Sequence, residues 1–215
     1  MELNYDLVKS IAMVCAFIVA IVGHEIMHGY IAYKYGDMTA KYQGRLSPNP
    51  IVHIDPVGSI LIPGVLFLVN APFLFGWAKP VPVNINTVVR NGGYSAAIKV
   101  SLAGVAYNFL LAIIGSVLLS IVSIDGVFGK FFMLFLTYTV VYNVVLGYFN
   151  LLPLPPLDGS HALQYWALKN RIYALAEKLN SFERYGMIFL MIFIATPLSK
   201  IVFTPAFAVI NFLLG

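Results

Sequence analysis

Residues 24–28 read His24-Glu25-Ile26-Met27-His28 and lie inside an apolar run long enough to cross a membrane. From residue 7 to residue 33 the only other charged side chain is Lys9, near the start. Residues four apart in a helix differ by about 40° in direction, so both imidazoles lie on one face and can bind one Zn²⁺. Glu25 points about 100° away, beside the metal rather than on it, where a general base is needed.

The position of this motif in an apolar run makes a functional role the preferred interpretation. An ionisable group deep in a bilayer costs at least ~2.5 kcal/mol, and three of them occur together here. The alternative is a buried polar patch that joins two helices.

Composition places the chain among polytopic membrane proteins. Of its 215 residues, 60% are hydrophobic and 10% are charged, and the mean hydropathy is +0.86, whereas a soluble domain has about a quarter of its residues charged. We expect a single domain over residues 1–215. The excess of 13 basic over 9 acidic residues is small and forms no basic patch, so we expect no nucleic-acid partner. The single Cys15 excludes an internal disulfide and a multi-cysteine metal site.

The pattern of apolar runs predicts an all-α bundle in the lipid bilayer, with about five to six transmembrane or re-entrant segments. Prolines argue against helix near residues 38–55 and 79–84, where we expect short extended pieces. Residues 160–180 are predicted to form a short helix and an interfacial amphipathic piece. The apolar segments are predicted at 6–35, 57–78, 94–124, 128–149 and 187–214, the last of them broken or bent near Pro197 and Pro205.

Charge distribution predicts the sidedness. Lys and Arg recur between residues 34 and 99 and again between 169 and 184, whereas few lie near Asp125. Because cytoplasmic loops carry the basic excess, both clusters should be cytoplasmic and Asp125 should face outward. Residues 57–78 must then begin and end on the cytoplasmic side, as a re-entrant hairpin or as a span with an extended return. The metal site is predicted near the cytoplasmic side, in what we expect to be a prokaryotic cell membrane.

A catalytic zinc usually has three protein ligands and one open position, so a third ligand is needed. Asp158 is the best candidate, because prolines stiffen the stretch N-L-L-P-L-P-P-L-D-G (150–159) and Gly159 allows close approach. Alternatively, Asp158 caps the helix that starts near Ser160. The other candidates are His161, His53, Asp55 and Asp37.

The motif at 24–28 and the proline-rich stretch at 150–159 together resemble the site-2 protease family of intramembrane zinc metalloproteases. G-R-L-S-P-N-P-I-V-H-I-D-P-V-G (44–58) and G-W-A-K-P-V-P-V-N (76–84) add to the likeness. The chain is most similar to the compact prokaryotic branch, which lacks a PDZ domain. The resemblance implies one Zn²⁺ per chain, with the ligands His24, His28 and Asp158 and the catalytic residue Glu25.

Three further residues are candidates for contacts with substrate. Asn108 lies in Gly104-Val105-Ala106-Tyr107-Asn108, which resembles the family's G-P-x-x-N element without its proline, and Asn150 matches the asparagine before the D-G motif. Either amide could donate to a substrate carbonyl or oxyanion, or could join helices instead. His53 is a candidate to support a metal ligand through a hydrogen bond, or to donate a hydrogen bond to the transition state, although capping of a turn is the favoured role. His161 is interpreted as interfacial or structural.

These expectations describe an intramembrane zinc endopeptidase that cleaves transmembrane segments of other membrane proteins, as in regulated intramembrane proteolysis. Residues 38–55 and 57–84 are candidates for pairing with an unwound substrate as an added strand. A regulatory membrane partner or a homo-oligomer is a further expected kind of partner. The alternative function is a non-enzymatic metal transporter or metal sensor. Glu25 discriminates against that alternative, because a transporter needs no base beside the metal.

Overall fold

The computed structural model describes residues 5–69, 76–122 and 125–215. These residues form helices and irregular segments, with no β-strand among them. The α-helices are α1 (Tyr5–Lys34), α2 (Thr39–Tyr42), α3 (Ile62–Leu68), α4 (Ile85–Ser101), α5 (Ala103–Ile121), α6 (Gly126–Leu151), α7 (Asp158–Lys169), α8 (Tyr173–Ala195) and α9 (Leu198–Leu214).

Helices α1, α5 and α6 are each long and apolar enough to cross a membrane, and they pack against one another. Helices α8 and α9 meet at an angle of 81° and together meet the same test. The break between them lies at Pro197, as predicted, whereas Pro205 lies inside α9. The protein is therefore an all-α, multi-pass membrane protein, and its outer helix faces expose large apolar side chains that suit lipid.

The extended pieces predicted near residues 38–55 are instead short helical turns. Helix α2 occupies 39–42, and a 3₁₀ turn runs from Pro50 to His53. The Asn49 side chain accepts a hydrogen bond from the Ile51 amide and caps that turn. The prediction was wrong because proline at the first position of a helix is favourable, since its fixed φ suits the helix and no N–H is needed there. Residues 76–84 have no helix and pair with no strand among the described residues.

The two ends of the segment between residues 54 and 78 lie close together. A π-helical turn (Pro56–Leu61) leads into α3, and the Lys79 amide then donates to the His53 carbonyl at 2.9 Å. This bond joins the two ends of the predicted re-entrant segment. Residues 70–75, which belong to the predicted return, lie outside the described residues.

The helix predicted at 94–124 is in fact two helices, and the first of them begins earlier. Helix α4 already starts at Ile85, where Asn84 accepts from the Thr87 amide as an N-cap, and α5 begins after a break at Leu102. Inside α4, Gly93 adopts φ +66°, which bends the helix. The polar composition of residues 85–93 concealed this helix, which packs on α1 and α7; in its first half, Val88 is buried against Ala32 of α1.

Candidate active site

Helices α1 and α7 bring three potential metal ligands together. His24 and His28 lie one turn apart on α1, and Asp158 is the first residue of α7. Asp158 Oδ2 lies 3.1 Å from His24 Nε2 and 3.2 Å from His28 Nε2, and the two Nε2 atoms are 3.0 Å apart. Zn–N and Zn–O bonds of about 2.0–2.1 Å give tetrahedral ligands about 3.3 Å apart. The three atoms therefore have the spacing of ligands that share one zinc ion.

The outer nitrogens of both rings determine which nitrogen carries the lone pair. His28 Nδ1 is 2.7 Å from the Val100 carbonyl, which can only accept a hydrogen bond. His24 Nδ1 is 2.6 Å from Asn108 Oδ1. Both Nδ1 atoms are thus donors, and in the neutral ring the lone pair is on Nε2. Two lone pairs and a carboxylate oxygen then converge at one point, an arrangement that suits a bound cation.

The carboxylate of Asp158 is suited to this role. Burial acts to raise the pKa of Asp158, but the contacts of its carboxylate with the His24 and His28 rings outweigh burial and hold that pKa well below its usual range. The ionised state that results is the state in which a carboxylate binds metal. The N-cap of α7 is Leu157, not Asp158. The capping alternative for Asp158 is therefore wrong.

The loop before Asp158 approaches α6 so closely that only glycine fits after the aspartate. A Cβ at Gly159 would clash with the Leu151 carbonyl oxygen, and a Cβ at Gly186 of α8 would lie 2.5 Å from the Pro155 carbonyl oxygen. Backbone contacts on both sides thus fix the loop that carries Asp158.

Glu25 lies between the two histidines in sequence and is held by a different element. Its Oε2 atom accepts a hydrogen bond from the Val81 amide at 2.8 Å. The side chain is partly buried and does not belong to the group of three possible metal ligands found among the described residues. One carboxylate oxygen of Glu25 is thus occupied by a backbone donor. The Val81 amide has no signature in residue identity, and sequence reasoning missed it.

The segment that carries Val81 is fixed by side chains from the turns that follow α1. Arg45, which is buried, donates from Nη2 to the Lys79 carbonyl at 2.6 Å. Asp37 Oδ2 accepts from the Asn84 amide at 2.6 Å, and its Oδ1 accepts from Thr39. Asp37 is therefore an anchor of this loop and of α2, not a third metal ligand.

Asn108 occupies a different place from the predicted substrate contact. It is fully buried behind His24. Its Nδ2 atom donates to the Ala20 carbonyl at 3.2 Å and to Asn143 Oδ1 at 2.8 Å. Since these bonds and the one with His24 use its amide, no donor remains for a substrate. The structure assigns Asn108 to the orientation of His24.

Asn143 and Gly104 complete this support, and sequence reasoning missed both roles. Asn143 is fully buried on α6 and donates to the Thr139 carbonyl. A Cβ at Gly104 would lie 2.6 Å from ring atoms of His24, so glycine lets α5 pack directly on that ring. A lone Asn inside an apolar span was the available signal for Asn143.

The other predicted residues lie outside the cluster of three ligands. Asn150 donates to the Leu146 carbonyl of its own helix at 3.1 Å. His53 is buried, with Nε2 3.0 Å from the Ser47 carbonyl, which agrees with the favoured turn-capping role. His161 is 3.4 Å from Glu183 at the exposed side of α7 and α8.

Comparison with known proteins gives a consistent set of relatives. Residues 120–194 match the model of Peptidase family M50. The chain is 39% identical over 208 residues to "Putative zinc metalloprotease YwhC" of Bacillus subtilis, an alignment that covers 94% of this chain and 89% of the relative. It is 28% identical to "Putative zinc metalloprotease Rip2" of Mycolicibacterium smegmatis, over 89% of this chain and 72% of the relative. It is 27% identical to "Putative zinc metalloprotease MJ0611" of Methanocaldococcus jannaschii, over 77% and 78% respectively. No solved structure matches.

Proposed function

Because this chain belongs to Peptidase family M50, the site-2 proteases, and is a zinc metalloprotease of the membrane, we propose that it cleaves transmembrane segments of other proteins within the bilayer. The observation that carries this proposal is the convergence of His24, His28 and Asp158 beside Glu25 on a membrane-length helix. A base beside the ligands is what hydrolysis needs and what transport or sensing of a metal does not.

The residues of the proposed active site have two roles, the binding of Zn²⁺ and the transfer of protons. We assign His24, His28 and Asp158 to holding Zn²⁺, which when bound polarises water and the scissile carbonyl. Glu25 takes the proton from the attacking water and later gives it to the leaving amine. The Val81 amide holds Oε2 of Glu25, so that Oε1 is the oxygen directed to the proton. Asn108 and the Val100 carbonyl keep both rings in the tautomer that presents Nε2.

The substrate has to lose its helical hydrogen bonds before attack, because a helix encloses its own peptide groups. Residues 76–84 are the part of the chain best placed to receive the unwound segment. They are irregular, run past Glu25 and are fixed to the turns after α1. We propose that the unwound backbone lies against this segment.

The active site is assigned to the cytoplasmic side of a prokaryotic cell membrane. His24 and His28 lie near the end of α1, which is followed by Lys34, Lys41 and Arg45. Basic residues concentrate on the cytoplasmic side. Water would then reach the site from the cytoplasm.

The decisive experiment compares the wild type with Glu25→Gln, reconstituted in liposomes with a panel of single transmembrane segments. We expect Glu25→Gln to keep one zinc per chain and to lose cleavage by ~10²–10⁴-fold or more, since the amide cannot accept the proton. Glu177→Gln, an exposed site on α8, is the matched control and should retain full activity. Wild-type turnover by Glu25→Gln would disprove the proposed mechanism.

A further inference from the structure

A cavity of about 570 Å³ lies beside the middle of α1, between that helix, the turns at residues 50–59 and residues 76–78. Ligand pockets in proteins span roughly 300–1,000 Å³, so the cavity has room for one or two large side chains. From α1 it is lined by Phe17, Ile18, Ile21 and Val22.

This cavity continues the catalytic face of α1. At about 100° per residue, Phe17 and Ile21 fall within about 60° of arc with His24 and His28. By the same rule, Ile18 and Val22 lie within about 60° of Glu25. Ile21 precedes His24 by one turn, a rise of about 4.5 Å. The cavity and the proposed zinc site are therefore neighbours on one side of one helix.

A second element joins the cavity to the base independently. Gly76, Trp77 and Ala78 line the cavity, and the Val81 amide bonds Glu25. Three residues of chain span at most about 10 Å. A substrate backbone lying along this segment therefore has a side chain at the cavity when its scissile bond is two or three residues away.

The residues that line the cavity indicate which kind of side chain it can bind. Ser59 and His53 are the polar residues among the lining, and the other lining residues are glycine or have apolar, mainly aliphatic or aromatic, side chains. Ser59 Oγ donates to the Trp77 carbonyl at 2.8 Å, and His53 Nε2 bonds Ser47. No acidic or basic chain faces the cavity from the described residues apart from the His53 ring. Such a space accepts a large apolar side chain and rejects a charged one.

We propose that this cavity is a specificity subsite, which takes a Leu, Ile or Phe side chain located two or three residues from the scissile bond. The inference rests on the proposed function and extends it, because it selects the cleavage position within a membrane segment. A small residue at that substrate position leaves the cavity unfilled, so the substrate loses the apolar contacts that the cavity offers.

The test uses the full-length protein in liposomes and one cleavable membrane segment, with the cut site mapped by mass spectrometry. Each of the four positions on either side of the cut is changed in turn to Ala, Leu or Phe. We expect one position, two or three residues from the cut, at which Leu or Phe exceeds Ala by tenfold or more in kcat/KM, as apolar pockets discriminate by ~10–200-fold.

Ala78→Phe fills the cavity and should reduce the ratio of kcat/KM for the Leu and Ala substrates to near one, whatever rate of cleavage remains. Ala208→Phe, an exposed site on α9, is the matched control and should keep the preference. Ile54→Ala enlarges the cavity, and should shift the preference from Leu towards Phe even if Ala78→Phe fails to fold. Zinc content reports folding in each case.

Two outcomes overturn the subsite while leaving the protease intact: wild-type cleavage with no position that favours large apolar residues, or equal losses on Ala and Leu substrates in Ala78→Phe. The second outcome is the one expected if a lipid chain occupies the cavity. Absence of any cleavage by the wild type would instead overturn the proposed function, and the subsite with it.

Discussion

Asn108 Oδ1 lies 2.6 Å from His24 Nδ1, and this contact makes an asparagine on α5 part of the support of a histidine on α1. The same amide is fixed by Ala20 and Asn143. A ring oriented by an outer hydrogen bond binds metal more tightly, and the loss of such partners typically costs 10–100-fold in affinity.

Replacing Asn108 or Asn143 with Leu should therefore weaken zinc binding without removing a ligand. We expect Asn108→Leu to lower zinc affinity by ~10–100-fold, and Asn143→Leu to lower it less, because Asn108 keeps its bond with Ala20. Competition with a chelator measures both values. Asn211→Leu, exposed on α9, is the control. Unchanged affinity in Asn108→Leu would show that His24 does not depend on this bond.

Gly104→Ala should disturb both packing and metal binding, since its Cβ would lie 2.6 Å from the His24 ring. Overpacking of this kind costs ~1–3 kcal/mol, which a shift in the thermal unfolding midpoint reports together with zinc content. Gly64→Ala is the control, because Gly64 is helical and no atom of the described residues lies within 4 Å of its added Cβ. If Gly104→Ala were as stable as Gly64→Ala, the close packing of α5 on His24 would be disproved.

Val81→Pro removes the amide that bonds Glu25 and should leave the zinc ligands in place. A hydrogen bond to a charged group contributes ~1.5–3 kcal/mol, so we expect kcat/KM to fall by about 10- to 100-fold with zinc retained. Val81→Ala keeps the amide and serves as the control for the lost side chain. An equal effect of the two substitutions would assign the loss to packing rather than to the hydrogen bond.

The proposed ligand set predicts the result of removing single ligands. Asp158→Ala should lose stoichiometric zinc, as should His24→Ala and His28→Ala, because two ligands rarely hold zinc tightly. Asp125→Ala, which is exposed before α6, should retain it. Since a bound metal stabilises the folded state by mass action, a chelator should lower the unfolding temperature of the wild type but not of Asp158→Ala. Full zinc occupancy in Asp158→Ala would require another third ligand.

The sequence was sufficient to predict that His24, His28 and Asp158 converge, but not which groups orient them and Glu25. The helical spacing of His24 and His28 and the rigid stretch before Asp158 are patterns of residue type, and these three residues do converge. The supports are the Val100 carbonyl, the Val81 amide and the close approach at Gly104. Backbone groups carry no residue label, and an interhelical distance depends on the whole packing, so neither could be predicted.

The local conformation of the irregular segments was also beyond what residue types could predict. Prolines near residues 38–55 were interpreted as breaking helix, whereas Pro50 and Pro56 begin short helical turns capped by Asn49 and Asp55. The return of the re-entrant segment was required by charge parity, and the His53–Lys79 bond shows where its ends meet. The distribution of charge predicts on which side of the membrane the ends of a segment lie, whereas the conformation of the segment depends on local capping.

Topology gives the last prediction. Residues 79–92 and 160–180 should face the cytoplasm, because both carry basic residues and because the contacts of Glu25 with Val81 and of His24 with Asp158 place both regions at one end of the bundle. Single cysteines at Asn86, Asp125 and Asn170, all exposed, are introduced in a Cys15→Ser background. An impermeant thiol reagent should label Asp125→Cys on intact cells, and the other two only after the membrane is opened. Labelling of Asn86→Cys from outside would mean that the chain crosses once between residues 57 and 78, which is incompatible with the hydrogen bond between His53 and Lys79.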